Sequence, residues 1–564
     1  MKRWIKVTLG TVALLAGGIY LSKDYVLLHM PGWLGPHIYP NRPVTWQQGP
    51  ATAALPVAQR PPNIILIVGD DLGYNDISFN GGGVAGGLLK TPNIDAIGHE
   101  GVSFSDGYAG NATCAPSRAA LMTGRYPTRF GYEYTPAETH PPAWFPTSLI
   151  RPEVRFARNI ANFPTEWEHK TIFDEDAARQ PATTIEKGVP ANEVTIAQLL
   201  QRKGYHTVHL GKWHLGEGRG MRPEQHGFDE SLGFMIGGQM YLPEDSPDVE
   251  NSKQDFDPID RFLWANLPFS VQYNGSDRFH PDRYMTDYLT DQATTAIHAN
   301  RNRPFFMYLA YNAPHTPLQA SKADYDALPQ IKDHRTRVYA AMIRALDRGV
   351  GKVMASLKAE GLDQNTLVIF TSDNGGAHYI GLPDINKPYR GWKATFFEGG
   401  VKVPLFMRWP AQIKPGMAIA GPVSHFDIFA TAGRAAGVTF PRDRTIDGVD
   451  LMPWVEGHAT GTPHQTLFWR DGAYRVVRDG DWKLQALDLP HTSLLYDMKS
   501  DPTEHRDVAS QHPDVVARLT GLLAQHDKDS VKPAWPSLIR SPIAIDRPLG
   551  TKPHAGETYI YWAN

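Results

Sequence analysis

Four short apolar runs, each spilling into a few polar residues, constrain this chain of 564 residues more than any other feature. Ile64–Val68 runs into Gly69-Asp70-Asp71, and Tyr205–Leu210 into Gly211-Lys212-Trp213-His214. Phe305–Tyr311 runs into Asn312-Ala313-Pro314-His315, and Leu367–Thr371 into Ser372-Asp373-Asn374-Gly375-Gly376. Short, continuous, β-rich runs read as strands covered on both faces, as in a parallel sheet. Helical stretches alternate with them. Thr91-Pro92 is an N-cap followed by a first-turn proline, with a stop expected at Gly101. Val194–Lys203 ends at Gly204, and Arg335–Glu360 carries Val338, Ala341, Met342, Ala345, Leu346, Val350 and Val353 at helical spacing before Gly361. The expectation is an α/β fold with a large mixed, mostly parallel sheet flanked by helices. Ligands of such sheets sit beyond the carboxyl ends of the strands. All four polar clusters lie there, so one shared site is expected.

From about residue 456 the texture changes. Thr466–Arg470, Ala473–Arg478, Trp482–Ala486 and Ser493–Asp497 are short strand-like pieces joined by turn residues, and Pro513–Asp527 reads as a terminal helix. The chain is therefore divided into 1–22 (signal peptide or membrane anchor), 23–60 (a Pro- and Gly-rich linker), 61–455 (the catalytic α/β domain) and 456–564 (a smaller C-terminal α+β subdomain with an antiparallel sheet). Lys2, Arg3 and Lys6 precede the apolar run Val7–Leu21, whose 15 residues match a signal-peptide core and fall short of the ~20 of a comfortable membrane span. The alternative is an uncleaved anchor over residues 4–21, with its positive end inside. Both readings export the catalytic part, to the periplasm or the medium.

Composition narrows the function. Lys and Arg number 56 against 59 Asp and Glu, so the net charge of −3 gives no field for gripping nucleic acid. Cys114 is the single cysteine, which excludes an intramolecular disulfide and argues against zinc ribbons and iron–sulfur clusters.

Asp70-Asp71 at the end of a buried strand must be neutralised, and a hard divalent cation would do so with carboxylate and amide oxygens. The plainer reading is an N-cap and a solvated turn. Asp373-Asn374-Gly375-Gly376 has the same form, with glycines that allow close backbone approach. Cys114-Ala115-Pro116-Ser117-Arg118 opens a helix, setting Cys114 just before its N-terminus, where the dipole favours an anion. Arg118 adds a forked cation one turn along. The alternative is a buried structural cysteine. Lys212 and His214, two apart, share one side of an extended segment. His315 lies in a proline-rich loop, and Lys393 in Gly391-Trp392-Lys393. Singly each reads as a surface lysine or a satisfied histidine; together they supply donors for an oxyanion ester and groups for proton transfer.

Cys114-Ala115-Pro116-Ser117-Arg118 with Leu121-Met122-Thr123-Gly124-Arg125 resembles the signature of the type I sulfatases, formylglycine-dependent members of the alkaline phosphatase superfamily. Asp70-Asp71-Leu72-Gly73, Gly211-Lys212-Trp213-His214-Leu215-Gly216, Pro314-His315-Thr316-Pro317, Ser372-Asp373-Asn374-Gly375 and Arg390-Gly391-Trp392-Lys393 match in order. The resemblance spans roughly residues 61–510 and includes Leu495-Tyr496-Asp497, Asp501-Pro502 and Glu504. It implies that a formylglycine-generating enzyme oxidises Cys114 to Cα-formylglycine before folding. One hydroxyl of the hydrate then attacks sulfur and expels the alcohol, and the second ejects sulfate. By position, Asp70, Asp71, Asp373 and Asn374 match the ligands of a divalent cation, usually Ca²⁺ with Mg²⁺ not excluded, and residue 114 completes the shell. Arg118 and Lys212 match residues that orient the formylglycine, His214 the base that breaks the sulfated intermediate, and His315 and Lys393 the sulfate contacts that assist the leaving group. The implied substrate is an aryl, steroid or carbohydrate sulfate. A phosphonate or phosphodiester hydrolase of the same superfamily, or an inactive protein that binds sulfated glycans, are the alternatives.

Two stretches lack such motifs. Residues 132–192 carry Trp144, Phe145, Phe163 and Trp167, and residues 236–284 carry Tyr241, Phe262, Trp264, Phe269 and Tyr273. Both read as loops near the site, with aromatic walls suited to rings. The sequons at Asn111 and Asn274 are discounted, the first because a glycan there would obstruct the site.

Overall fold

The computed structural model describes residues 35–136, 169–179 and 187–564, together with 25, 28–29, 32–33, 157–158 and 160–162. The apolar run Val7–Leu21 and its basic flank lie outside the described residues, as do Trp144, Phe145, Phe163 and Trp167. Among the described residues no helix is long and apolar enough to cross a membrane.

The framework is a mixed sheet, of nine strands among the described residues. In chain order they are β1 (Asn63–Gly69), β2 (Val102–Tyr108), β3 (His206–Lys212), β4 (Glu230–Phe234), β5 (Gln272–Tyr273), β6 (Phe305–Ala310), β7 (Thr366–Ser372), β8 (Leu405–Arg408) and β9 (Met417–Ser424). Their order across the sheet is β9-β2-β8-β7-β1-β6-β3-β4-β5. The four apolar runs are its centre: β7, β1, β6 and β3 are adjacent and mutually parallel, and every residue in them is buried. β8 runs antiparallel to both β7 and β2, and β5 closes the other edge antiparallel to β4.

Among the described residues, six helices cover the faces: α1 (Pro92–His99), α2 (Cys114–Thr123), α3 (Ile196–Arg202), α4 (Met285–Asn300), α5 (His334–Ala359) and α6 (His425–Ala435). Because strand side chains alternate, Ile65 and Ile67 of β1 enter the core with Leu289 of α4 and Val338 and Leu346 of α5. Ile64, Leu66 and Val68 enter a second core with Leu121 of α2, Leu200 of α3 and Phe429 of α6. An apolar run without polar alternation is thus what a strand between two helix layers requires. Thr91 stands at the N-cap of α1 as expected, but its hydroxyl donates to Asp95 Oδ1 at 2.8 Å and accepts from Ser78 N at 2.8 Å, capping no amide of the helix.

The C-terminal part begins with an antiparallel sheet of β10 (Thr466–Asp471), β11 (Tyr474–Asp479), β12 (Trp482–Leu487) and β13 (Thr492–Asp497). Helix α7 (Pro513–Lys528) seals one face, packing Leu519 and Leu523 against Val477, Leu484 and Leu495. A final hairpin, β14 (Ile539–Ala544) and β15 (Tyr559–Ala563), pairs at its edge with Ile172–Phe173, so the chain end meets part of the first insert.

Two segments differ in character from their sequence reading. Residues 35–60 hold little regular structure, yet they lie along the catalytic unit. Trp46 is buried with its indole N–H donating to Gln292 at 2.9 Å, and Gln47 N donates to Glu230 at 2.8 Å. A single large aromatic burying its ring suffices to fasten such a strap. In the second insert Tyr241, Phe269 and Tyr273 pack into the structure, while Phe262 and Trp264 are half-buried. Tyr241 is buried and stacked on Tyr284, Phe269 is buried, and Tyr273 sits in β5 with its hydroxyl donating to Glu230 at 2.6 Å. These three rings are packing groups and not an open wall.

Candidate active site

The carboxyl ends of the four central strands converge. β1 delivers Asp70 and Asp71, β7 delivers Asp373 and Asn374, β3 ends on Lys212 with His214 beyond it, and the turn after β6 carries His315. All seven are buried. Close backbone approach makes this convergence possible. Gly211, at φ 97°, has no room for a Cβ against the Ala310 carbonyl, nor has Gly375 against Gly399.

Cys114 is the first residue of α2, with Thr113 as its N-cap. It therefore sits one position deeper than the sequence reading placed it, still where the helix dipole favours negative charge. Arg118, one turn along, is fully buried. Its Nε donates to Asp373 Oδ2 at 2.9 Å, its Nη2 lies 2.8 Å from that oxygen and 3.6 Å from Asp70 Oδ2, and its Nη1 donates to the Tyr308 hydroxyl at 3.1 Å. Lys212 Nζ donates to Asp70 Oδ2 at 2.6 Å. On the other side, Lys393 Nζ lies 2.9 Å from each Asp71 oxygen and 3.3 Å from His315 Nε2. Lys393 reaches in from a loop outside the parallel sheet.

Three buried carboxylates thus face three fixed cations. Burial, reinforced by the Asp373 carboxylate, pushes Asp70 up to about 8. Burial works the same way on Asp71, but Lys393 and His315 outweigh it and hold Asp71 below the usual carboxylate range. Burial would raise the Cys114 thiol, yet Lys212 and Lys393 bring it down to about 6. Burial, with Lys212 and Arg118 adding to it, holds His214 well below the ordinary imidazole value, so it stands neutral. His214 has φ 57°, so the chain has left the extended conformation expected of it, and its Nδ1 has no partner. For His315, burial lowers and Asp71 raises, with a net rise. Its Nδ1 donates to the Thr316 carbonyl at 2.6 Å, which orients the ring.

The donor set has the composition a divalent cation selects. Asp373 has both oxygens engaged, by Asp71 N at 3.1 Å and by Arg118. Asn374 Nδ2 donates to Asp71 Oδ1 at 2.7 Å, and its own Oδ1 is buried without a partner. Asp70 Oδ1 is likewise buried and unpartnered. Two orphaned oxygens beside two further carboxylates are what a hard cation satisfies, and the residues fit it. One ligand-type atom from each of Asp70, Asp71, Cys114 and His315 lies within 4.8 Å of the others. His315 is the member least suited to such an ion, because hard cations select oxygen.

The structure brings together every residue the sequence nominated: Asp70, Asp71, Cys114, Arg118, Lys212, His214, His315, Asp373, Asn374 and Lys393. It adds two that the sequence did not single out. Tyr308 braces Arg118, and the Tyr379 hydroxyl donates to Asp71 Oδ2 at 3.1 Å while accepting from Lys393 Nζ at 3.0 Å. Tyr379 comes after Asp373 in a glycine-rich loop where no periodicity marks it. Asn111 is buried, with Nδ2 donating to the Arg470 carbonyl at 3.3 Å, which closes the first sequon to a glycan.

A helix-opening Cys-x-Pro-Ser-Arg set against paired acidic strand ends on a mixed α/β sheet defines a sulfuric ester hydrolase, and the comparisons agree. The sulfatase family model matches residues 62–438, and the chain belongs to the type I sulfatases. A second model, N-sulphoglucosamine sulphohydrolase, C-terminal, matches residues 390–529. Among relatives, N-acetylgalactosamine-6-sulfatase of Rattus norvegicus is 31% identical over 85% of this chain and 88% of its own. Steryl-sulfatase of Mus musculus is 31% identical over 74% of this chain and 68% of its own. Among solved structures, Ps i-CgsB in complex with k-i-k-neocarrahexaose aligns with a TM-score of 0.67 at 31% identity, over 84% of this chain and 95% of that one.

Proposed function

We propose that the enzyme hydrolyses sulfate esters of carbohydrates, using a Cα-formylglycine made from Cys114 by a formylglycine-generating enzyme and one divalent cation. The observation that carries this reading is the pair of orphaned buried oxygens, Asp70 Oδ1 and Asn374 Oδ1, in the cluster that includes Cys114 at the head of α2. Asp70, Asp71, Asp373 and Asn374, with residue 114, would hold the cation, Ca²⁺ in preference to Mg²⁺. Cation and hydrated formylglycine together supply an activated alcohol-type nucleophile and a Lewis acid for the sulfate oxygens.

The chain's own residues do the rest. Arg118 and Lys212 fix Asp373 and Asp70 and hold positive charge beside residue 114. His214, whose buried Nδ1 has no partner, is the residue to which we assign the proton acceptor's part. Lys393 and His315, on the Asp71 side, would bind sulfate and steady the charge that develops on the leaving oxygen. A carbohydrate ester is favoured over a steroid because the N-acetylgalactosamine-6-sulfatase likeness spans more of both chains than the steryl-sulfatase likeness does. The Ps i-CgsB structure that holds an oligosaccharide adds support.

Peptide mass spectrometry across Cys114 tests the nucleophile. Active protein carrying an unmodified thiol would overturn it. A panel of sugar, aryl and steroid sulfates beside a phosphodiester and a phosphonate tests the ester. A clear phosphoryl preference would replace the reading with the related phosphonate or phosphodiester activity.

The basic residues before Val7–Leu21 support export, either secreted to the periplasm or tethered. Exposed Tyr25 and Trp33, just beyond that run, are residues that favour a membrane–water interface. Fractionation of cells expressing the full chain tests the tether, and protein wholly in the soluble periplasmic fraction would exclude it.

A further inference from the structure

Glu504, which belongs to none of the site's clusters, lies buried at a non-glycine positive φ of 60° in the C-terminal part. Its Oε2 accepts from the backbone N–H of Glu398 at 2.6 Å, and its Oε1 accepts from Gln485 Nε2 at 3.1 Å and lies 3.0 Å from Lys483 Nζ. Its carbonyl accepts from Arg390. Lys483 is fully buried as well and closes the cluster by donating to Glu398 Oε1 at 2.8 Å.

Arg390 and Glu398 are the two ends of the loop that carries Lys393. Between them the loop's donors are divided: Lys393 N and Ala394 N donate to the Gly376 carbonyl at 3.0 Å and the Ala112 carbonyl at 2.8 Å in the catalytic part, and groups of the C-terminal part take up others. The Ile545 carbonyl accepts from Gly391 N at 3.2 Å, the Ala544 carbonyl from Trp392 Nε1 at 3.1 Å, and the Tyr474 hydroxyl from Phe396 N at 3.1 Å. Asp546 accepts from Arg390 at 2.6 Å and 2.7 Å. The loop is irregular, with Ala394 at φ 66°, so no helix or sheet ladder of its own fixes it. A buried ion cluster of this kind is a poor source of net stability but holds geometry, because each misplaced charge would be left unpaired.

We propose that Glu504, with Lys483 as its counter-ion, is a positioning residue for Lys393: it fixes the two ends of the loop, so that the C-terminal sheet shares in setting where that ammonium stands. This rests on the role given to Lys393 above. The C-terminal part is then a working component of the sulfate site, although it contributes no group to it.

The test compares Glu504→Ala, Lys393→Ala and the double variant on an activated aryl sulfate and on an alkyl or sugar sulfate, using the full chain with confirmed formylglycine. Glu504→Ala is expected to lower kcat on the poor-leaving-group ester by about tenfold or more, and less on the aryl ester, since small misplacements of a positioned group are costly. Added to Lys393→Ala it should cost little further. Glu504→Gln, which keeps an acceptor for Glu398 N but loses the charge opposite Lys483, should recover only part of the loss, and full recovery would remove Lys483 from the proposal as its counter-ion. A folded Glu504→Ala that is fully active, or whose loss multiplies with that of Lys393→Ala, overturns the proposal. A fully active Lys393→Ala overturns the role of Lys393 instead. Should Glu504→Ala fail to fold, Tyr474→Phe, which removes the acceptor for Phe396 N, takes its place with the same expected leaving-group split, and an equal loss on both esters overturns the proposal.

Discussion

Asn374 donates its amide N–H to Asp71 Oδ1 at 2.7 Å, and in doing so turns its own buried oxygen into the cluster with nothing to accept from. An amide there does what a carboxylate could not. It ties the two strand ends together and still offers an oxygen, without adding a fourth carboxyl group to three.

A cation at that oxygen should be visible as stability. Addition of Ca²⁺ to chelator-treated protein is expected to raise the thermal midpoint, since a ligand at a hundredfold its Kd contributes about 2.7 kcal/mol. Asn374→Leu should abolish most of that rise. Melting curves with and without the ion decide the matter, and an unchanged midpoint in the parent would remove the cation from the reading.

Arg118 is fully buried against Asp373 and Asp70. Its replacement by Met leaves those charges short of a partner and is expected to cost about 3–5 kcal/mol, beyond the loss of turnover. Urea unfolding measures this. A cost within the ~0.5 kcal/mol of an ordinary surface change would mean that the carboxylates are neutralised from elsewhere.

His315, on the Asp71 side, should matter most when the leaving oxygen is most basic. His315→Ala is expected to damage turnover of an alkyl or sugar sulfate more than that of a nitrophenyl sulfate. Equal losses on the two esters would argue against a part in leaving-group protonation.

The hairpin of β14 and β15 supports the residues that hold Gly391 and Trp392, and an ion pair fastens it. Arg547 Nη2 donates to Glu557 Oε2 at 2.9 Å, and the hydrogen bond from Arg547 holds Glu557 down to about 2. A carboxylate depressed on folding contributes stability that is present above its unfolded value and lost as pH falls through its folded one. Glu557→Gln should therefore destabilise most near neutrality, with the difference shrinking as pH drops from about 4.5 toward 2. Paired denaturation curves at several pH values would show it, and a constant difference would place the effect in packing.

Much of the site was legible because buried parallel strands advertise themselves. Ile64–Val68 and Leu367–Thr371 have no polar alternation, so they had to lie between helix layers, and the polar residues just past their ends had to lie at the carboxyl edge. The expectation that Lys212 and His214 share an extended segment failed at His214, where the backbone turns left-handed. Tyr308 lay hidden within an apolar run, since its hydroxyl finds Arg118 only when α2 is laid across β6. Tyr241, read as wall, is a post beneath the His315 turn, its hydroxyl bonded to the Asn312 and His315 carbonyls.

By itself, then, the sequence determined the central sheet and the helix that opens at Cys114, and it pointed to the nine polar residues that gather around that cysteine. Short-range periodicity and local motifs encode those things. Only the tertiary structure decided which oxygens are left open for a cation, that Trp46 straps residues 35–60 to the catalytic unit, and that Glu504 and Lys483 hold the loop of Lys393. These depend on contacts between residues far apart in the chain, for which no local pattern exists. A buried charge declares its partner only when the surfaces that enclose it have met.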